Sequence, residues 1–404
     1  MTTPKPETLL ITLTGRDRPG VTSSVFAALS GAGVEVLDIE QIVLRGRLIL
    51  GVLVTAPRNV AKVATSVQET ASRLGMAVEV ESGVGDNRAR ADGRSHVTVI
   101  GAPLRSSAMA AIAGRIADAG ANIDRIERMA RYPVTAIDLH VSGAATEALR
   151  TVLAAEAARQ SVDVAVQPAN LLRRGTRLIV MDVDSTLIQG EVIEMIAAHA
   201  GCEAEVAAVT ESAMRGEIDF EESLRARVAL LEGVPAAALD EVYDSITLAP
   251  GARTMVRTLR RLGYRFAIVS GGFSQITDRL ADDLGIHFAR ANELEIVDGR
   301  LTGRIAGPVV DRAGKAAALR EFAASIGVPL AAVIAVGDGA NDLDMLNAAG
   351  LGIAYNAKPL VRDAADTAVN VPYLDTIMYL LGISREEVEA ADAEAGIVTP
   401  APPL

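Results

Sequence analysis

The chain has 404 residues, half of them hydrophobic, which is more than one ordinary domain needs and points to two or three globular units. Acidic residues outnumber basic ones, 51 against 39, and the net charge of -12 argues against a nucleic-acid partner. A single cysteine, Cys202, excludes an internal disulfide, and with only four histidines no soft-metal cluster can form.

Met1 to Leu9 contains Pro4, Lys5, Pro6 and Glu7 and has no apolar signal core, and no later run reaches spanning length, so a cytoplasmic protein without membrane segments is expected. Thr8 to Thr14 alternates as a half-buried strand, GRDRPG forms a turn, and Val21 to Leu29 has helical periodicity. Val34 to Val43 and Leu48 to Val54 read as a strand pair, Arg58 to Leu74 as a helix, and Met76 to Ser82 as a closing strand. After a polar linker, Gly83 to Arg94, the same βαββαβ order restarts at Ser95 and ends at Gln167, with AGVEVLDIE from Ala32 matching AGANIDRIE from Ala119. The first 168 residues are thus a tandem duplication, divided as 1–86 and 95–168.

Each copy resembles an ACT domain, a ferredoxin-like module that binds amino acids between paired domains. The resemblance implies a homodimer and an effector, L-serine or a related amino acid, held at Asp17 and Gly20 of GRDRPGVTSSVF. Glycine permits close backbone approach there, and the following helix offers free N–H groups to a carboxylate. The second copy carries GAPLRSS instead, without the acid and the Pro-Gly turn, which puts an effector site there in doubt. Dimerisation alone would also account for such sheets.

The remainder is organised around RLIVMDVDSTL, Arg177 to Leu187. Leu178 to Met181 reads as a strand buried on both faces, and it delivers Asp182 and Asp184 together at its carboxyl end. Two such carboxylates repel and are costly to bury, so they call for a metal or a function. From about 189 to 249 runs a helical insertion, read as a cap, after which Tyr264 to Val269 makes a second buried strand ending in Ser270-Gly271-Gly272. DRAGK places Lys315 near a helix start, where the macrodipole does not favour a cation. Val333 to Val336 leads into GDGANDLDML, with Asp338 and Asp342 flanking Asn341 across a glycine-rich turn, and Leu351 to Tyr355 adds a further strand. Strands alternating with helices imply a mainly parallel three-layer α/β sheet whose carboxyl ends share one crevice. Residues 390–404 lack a periodic core signal and are expected to form a mobile tail beyond a catalytic domain spanning 175–392.

In this order DVDST, SGG, the lysine and GDGAND resemble the four motifs of the haloacid dehalogenase superfamily, a Rossmann-like core with a helical cap. That resemblance implies an aspartyl-phosphate mechanism with Asp182 as nucleophile and Asp184 as proton donor and acceptor. It further implies Mg²⁺ held by Asp182, Asp338 and the Asp184 carbonyl, with Asp342 supporting from behind and Ser270, Gly271, Lys315 and Asn341 on the phosphate. VDSTLIQGEVIE and MRGEIDFEESLRARV resemble the cap of the superfamily's phosphoserine phosphatases, which implies that Glu191 takes the amine of O-phospho-L-serine, that Arg227 takes its carboxylate, and that Met214 and Phe220 wall the pocket. Two other readings stay open: a phosphatase or phosphotransferase for another small phosphomonoester, and a serine-responsive regulatory protein.

Overall fold

The computed structural model describes residues 7–85, 93–175, 177–214 and 217–400, and divides the chain into two compact units, Met1–Arg90 and Ala91–Leu404. In the first unit, β1 (Glu7–Arg16), α1 (Val21–Ser30), β2 (Val36–Leu44), β3 (Arg47–Thr55), α2 (Val60–Arg73) and β4 (Ala77–Val84) form an antiparallel sheet in the order β2-β3-β1-β4. The alternation of β1 and β3 sends Leu9, Ile11, Leu13, Leu50 and Val52 beneath the two helices. Helix α2 begins later than its apolar pattern suggests, because the Asn59 side chain accepts a hydrogen bond from Lys62 N at 3.0 Å and caps it. Gly20 sits at φ 93° as the residue before α1, in the left-handed region that glycine adopts freely, and the exposed Asp17 donates its amide to Gly46 O.

The second unit opens with the repeat: β5 (Ser95–Gly101), α3 (Ser106–Asp118), β6 (Asn122–Ala130), β7 (Thr135–Ser142), α4 (Thr146–Gln160) and β8 (Asp163–Pro168), with sheet order β6-β7-β5-β8. β9 (Leu178–Met181) starts the α/β core. It is followed by α5 (Val192–Ala200), α6 (Glu203–Met214), α7 (Phe220–Ala229) and α8 (Ala238–Ser245), then α9 (Ala252–Arg261), β10 (Arg265–Phe273) and α10 (Ser274–Leu284). The chain continues through β11 (Phe288–Val297), β12 (Arg300–Ala306), α11 (Arg312–Ser325), β13 (Val333–Gly337), α12 (Leu343–Ala348) and β14 (Leu351–Tyr355). It closes with α13 (Pro359–Ala364), β15 (Thr367–Val369), α14 (Ile377–Leu380) and α15 (Arg385–Glu394).

The seven strands of this core run β12-β11-β10-β9-β13-β14-β15, so β9 lies in the middle, hydrogen-bonded in parallel to β10 and β13. All four of its residues are buried: Ile179 and Met181 join one apolar layer, Leu178 and Val180 the other. This is the three-layer arrangement expected from the sequence, with the addition of β12, which pairs antiparallel with β11 at one edge. The four helices α5 to α8 leave the core through one neck, where Ile188 bridges Leu248 and Gln189 N donates to Thr247 O.

The second repeat is bound to the core by buried polar contacts. Asp163 on β8 accepts from Asn370 N and Nδ2 at 2.8 and 2.7 Å, Thr367 Oγ1 donates to Val164 O, and Arg150 pairs with Asp366 at 3.0 Å. Residues 390–394, read from sequence as the start of an irregular tail, belong instead to α15. Asp392 supplies the reason: it is fully buried and accepts from Arg257 and Arg261, and the Thr399 hydroxyl also donates to it. Among the described residues no helix is long and apolar enough to cross a membrane.

Candidate active site

The carboxyl ends of β9, β10 and β13 converge beneath the capping helices on a cavity of about 630 Å³. Asp182, Asp184, Glu191, Phe220, Arg227, Gly271, Lys315, Asp338 and Asn341 all line it. Ser270 and Asp342 stand directly behind its wall, fully buried. The Met214 side chain lies outside the described residues.

β9 fixes Asp182 through a backbone bond, Asp182 N to Val336 O at 2.9 Å. One carboxylate oxygen, Oδ1, accepts from Val183 N at 2.8 Å and lies 2.7 Å from Lys315 Nζ, which leaves Oδ2 unengaged among the described residues. Lys315 reaches this point because Asp311 caps α11, accepting from Gly314 N at 2.7 Å, and so sets the first turn of the helix against the crevice. Its ammonium is 1% exposed and bridges Asp182 and Asp342, at 2.7 Å from each. These two acids hold the lysine protonated despite its burial, pushing its pKa upward. The other Asp342 oxygen accepts from Gly339 N at 3.0 Å, so Asp342 is fully occupied in holding the lysine and the glycine turn.

Asp184 points elsewhere. Its Oδ1 accepts from Val192 N at 2.8 Å, at the first turn of α5, and its Oδ2 accepts from Ser270 Oγ at 2.9 Å. Ser270 Oγ in turn accepts from Gly272 N at 2.7 Å, so its one proton is already given to Asp184, and a phosphate contact requires the hydroxyl to turn. The Ser-Gly-Gly stretch lies inside β10 at a register shift against β11, between Val269 and Phe273, which opens the backbone toward the cavity. Gly272 has no room for a side chain: a Cβ there would lie 2.9 Å from both Asp184 Oδ2 and Ser270 Oγ. A Cβ on Gly271 would meet Phe220 Cζ at 3.1 Å, so the aromatic edge of α7 closes directly over the loop.

Electrostatically, Lys315 is the cation that the acids around Asp182 share. Burial pushes Asp182 well up, and the neighbouring Asp342 adds to the shift; Asp184 is raised by burial as well. Asp338 is pushed up to about 6 by burial and by Asp342, and among the described residues no Lys or Arg is within ion-pair distance of it. Asp182, Asp338 and Asp342 bring one carboxylate oxygen each to within 4.8 Å of one another, an all-oxygen donor set suited to a hard cation. With Asp342 already occupied by Lys315, Asp182 and Asp338 are the carboxylates that fit a metal ion.

At the cap end, burial and then Asp184 push Glu191 up to about 7, while the Ser185 hydroxyl donates to its Oε1 at 3.0 Å. The Arg227 guanidinium faces the same cavity from α7, with a 3.4 Å contact from Nε to Ser223 O and no ion pair to Glu191. An acid and a cation thus stand apart across open volume. Three further residues emerge that the sequence did not single out. Ser185 holds Glu191, the Thr186 hydroxyl donates to Asp338 Oδ1 at 3.1 Å, and Lys358, after β14, lines the cavity. Position beside the Asp pair could have indicated the first two; Lys358 had no signal.

Comparison with known proteins agrees with this geometry. Residues 179–347 match the haloacid dehalogenase-like hydrolase model, and residues 7–81 and 94–167 each match an ACT domain. A phosphoserine phosphatase of Streptomyces coelicolor is 62% identical over 390 residues, covering 96% of this chain and 95% of that protein. The chain belongs to the phosphoserine phosphatase family of haloacid dehalogenase-like hydrolases. The Mycobacterium tuberculosis phosphoserine phosphatase is 52% identical, covering 96% of this chain and 97% of its own. Among solved structures, a haloacid dehalogenase family hydrolase from Salmonella enterica aligns at a TM-score of 0.62 and 30% identity, covering 71% of this chain and 98% of that one. A probable phosphoserine phosphatase from Vibrio cholerae aligns at 0.57 and 35%, covering 74% and 88%. The phosphatase family therefore extends over the ACT repeats as well as the catalytic core.

Proposed function

We propose that the chain hydrolyses O-phospho-L-serine to L-serine and phosphate, the final step of serine biosynthesis, through an aspartyl-phosphate on Asp182. The observation that carries the substrate is the separated pair in the cap. Glu191, raised to about 7 by burial and then by Asp184, suits the substrate ammonium, and Arg227 across the cavity suits its carboxylate. A phosphomonoester with both groups has the phosphate directed to the opposite end, at Asp182.

The unengaged Asp182 Oδ2 attacks phosphorus while Lys315 keeps Oδ1 fixed and neutralises charge on the transferring group. Asp184, whose carboxyl burial shifts toward the protonated form, gives its proton to the departing serine oxygen. It then takes a proton from the water that hydrolyses the acyl phosphate, as microscopic reversibility requires. Asp182, Asp338 and the Asp184 carbonyl are the groups proposed to hold Mg²⁺, whose contribution is charge neutralisation at the phosphoryl oxygens. Gly271 N–H, Asn341 and Ser270, once its hydroxyl turns, complete the phosphate pocket, and Phe220 walls the cap.

The ACT repeats are proposed to pair two chains and to bind an amino-acid effector, L-serine, in the first repeat at Asp17 and Gly20. Support comes from the turn before α1, where Gly20 holds a left-handed backbone and no side chain caps the helix. A cytoplasmic setting follows from a phosphorylated metabolite as substrate. The test is phosphate release from L-phosphoserine, L-phosphothreonine and p-nitrophenyl phosphate, with Mg²⁺ or EDTA. Strong metal-dependent preference for phosphoserine is expected; equal rates on all three would remove the substrate assignment.

A further inference from the structure

A second cavity, of about 620 Å³, lies on the same catalytic core and is lined chiefly by arginine: Arg253, Arg257, Arg260 and Arg261 of α9, Arg265 at the start of β10, and His287 before β11. Because Arg265 opens the strand whose far end carries Ser270 and Gly271, this cavity lies roughly 20 Å along β10 from the catalytic one.

The arginines are only partly satisfied. Asp392 takes Arg257 and Arg261 together, at 2.5 and 2.6 Å, and Asp283 takes Arg253 at 3.0 Å. Arg260 donates to Leu284 O and meets no carboxylate among the described residues; the Arg265 side chain makes no ion pair or hydrogen bond among them. Five guanidinium groups thus face two carboxylates, a surplus of three positive charges on a chain whose net charge is -12. His287 adds a donor, since its Nδ1 accepts from Phe266 N at 3.2 Å and leaves the proton on Nε2. The arginine field is also visible in His287, whose pKa is lowered by burial and then by Arg265 and Arg260.

We infer that this arginine cavity is a binding site for a small polyanion carrying a chain of two or three phosphates. Guanidinium groups match phosphate oxygens two at a time. From Arg253 to Arg261 the helix rises about 12 Å, too far for one phosphate to span and suited to a short chain of them. The volume fits a small molecule. A polynucleotide is disfavoured, because beyond this patch it would meet the acidic remainder of the surface. The phosphate chain is available either as an inorganic polyphosphate or on a nucleoside triphosphate.

The test is calorimetric titration of the full-length, Mg²⁺-loaded protein with inorganic tripolyphosphate and, separately, with ATP. One site is expected. It should weaken roughly tenfold or more in Arg265→Glu and in Arg260→Glu, and stay unchanged in Arg227→Ala. Equal affinity for both ligands assigns the phosphate chain itself as the recognised group; tenfold tighter binding of ATP assigns the nucleotide. Phosphoserine turnover in Arg265→Glu should match the unsubstituted enzyme, and it is read independently of the titration. Arg260→Glu also breaks the contact to Leu284 O, so if it fails to fold, Arg265→Glu decides. The inference is overturned if tripolyphosphate does not bind, or if its binding is unchanged in Arg265→Glu.

Discussion

Replacing Lys315 by Met separates the two tasks of the buried lysine. Its ammonium is 1% exposed and sits 2.7 Å from both Asp182 and Asp342, so the substitution leaves two buried carboxylates facing each other without a cation. Breaking a buried pair from one side costs about 3–5 kcal/mol when the remaining charge stays ionised. Here the charge need not remain. Asp182 already has a pKa well above its ordinary value through burial and Asp342, and loss of the lysine raises it further. An acid whose folded pKa is raised costs no stability below its unfolded value, costs progressively more as pH rises from there to the folded value, and costs a constant amount above it. In EDTA the penalty of Lys315→Met should therefore be larger at pH 8 than at pH 5, changing by at most about 1.4 kcal/mol per pH unit. Urea unfolding followed by tyrosine fluorescence is the assay. All six tyrosines lie between Tyr132 and Tyr379 and the chain has no tryptophan, so the signal reports the second unit alone. A penalty equal at pH 5 and pH 8 would refute the reasoning.

Arg227→Ala should lower kcat/KM for phosphoserine roughly 10–100-fold, with much less effect on p-nitrophenyl phosphate, which has no carboxylate; equal losses would refute the role. Glu191 titrates near 7, and only its ionised form pairs with an ammonium, so the phosphoserine to p-nitrophenyl phosphate ratio of kcat/KM should fall as pH drops through that value. Glu191→Gln should flatten that ratio across pH, and a persistent slope would assign the titration elsewhere. Gly272→Ala puts a Cβ 2.9 Å from Asp184 Oδ2 and Ser270 Oγ. Displacing the acid by so little should cost roughly 100-fold in rate while leaving the unfolding midpoint near that of the unsubstituted chain, and full activity would contradict the packing.

Much of this was legible in the sequence because buried strands ending in acids have few structural explanations. The Leu178 to Met181 run predicted both the central strand and the delivery of Asp182 and Asp184 to one point. Duplication of the N-terminal half was readable from alternation and from the repeated AGVEVLDIE pattern. The β11–β12 hairpin was not, because Phe288 to Ala306 mixes half-buried and exposed positions and lacks a clean period. Motif order places Lys315 at the site, while nothing in DRAGK indicates its burial; the fold, by capping α11 at Asp311, turns it inward between two acids. Ser270 stands behind the cavity wall near where its position indicated, but its bond to Asp184 depends on how far β10 continues past the glycines. The order of 390–394 also escaped the sequence, since a buried Asp392 is tolerated only once Arg257 and Arg261 reach it from α9.

The central claim is a covalent phosphoryl group on Asp182. Rapid acid quenching of the Mg²⁺-loaded enzyme with labelled phosphoserine, followed by peptide mass analysis, reads it directly. The account predicts a transient adduct on the peptide containing Asp182 that forms before serine accumulates in steady state and is missing in Asp182→Asn together with turnover. Turnover retained in Asp182→Asn, or an adduct on a different residue, would contradict it.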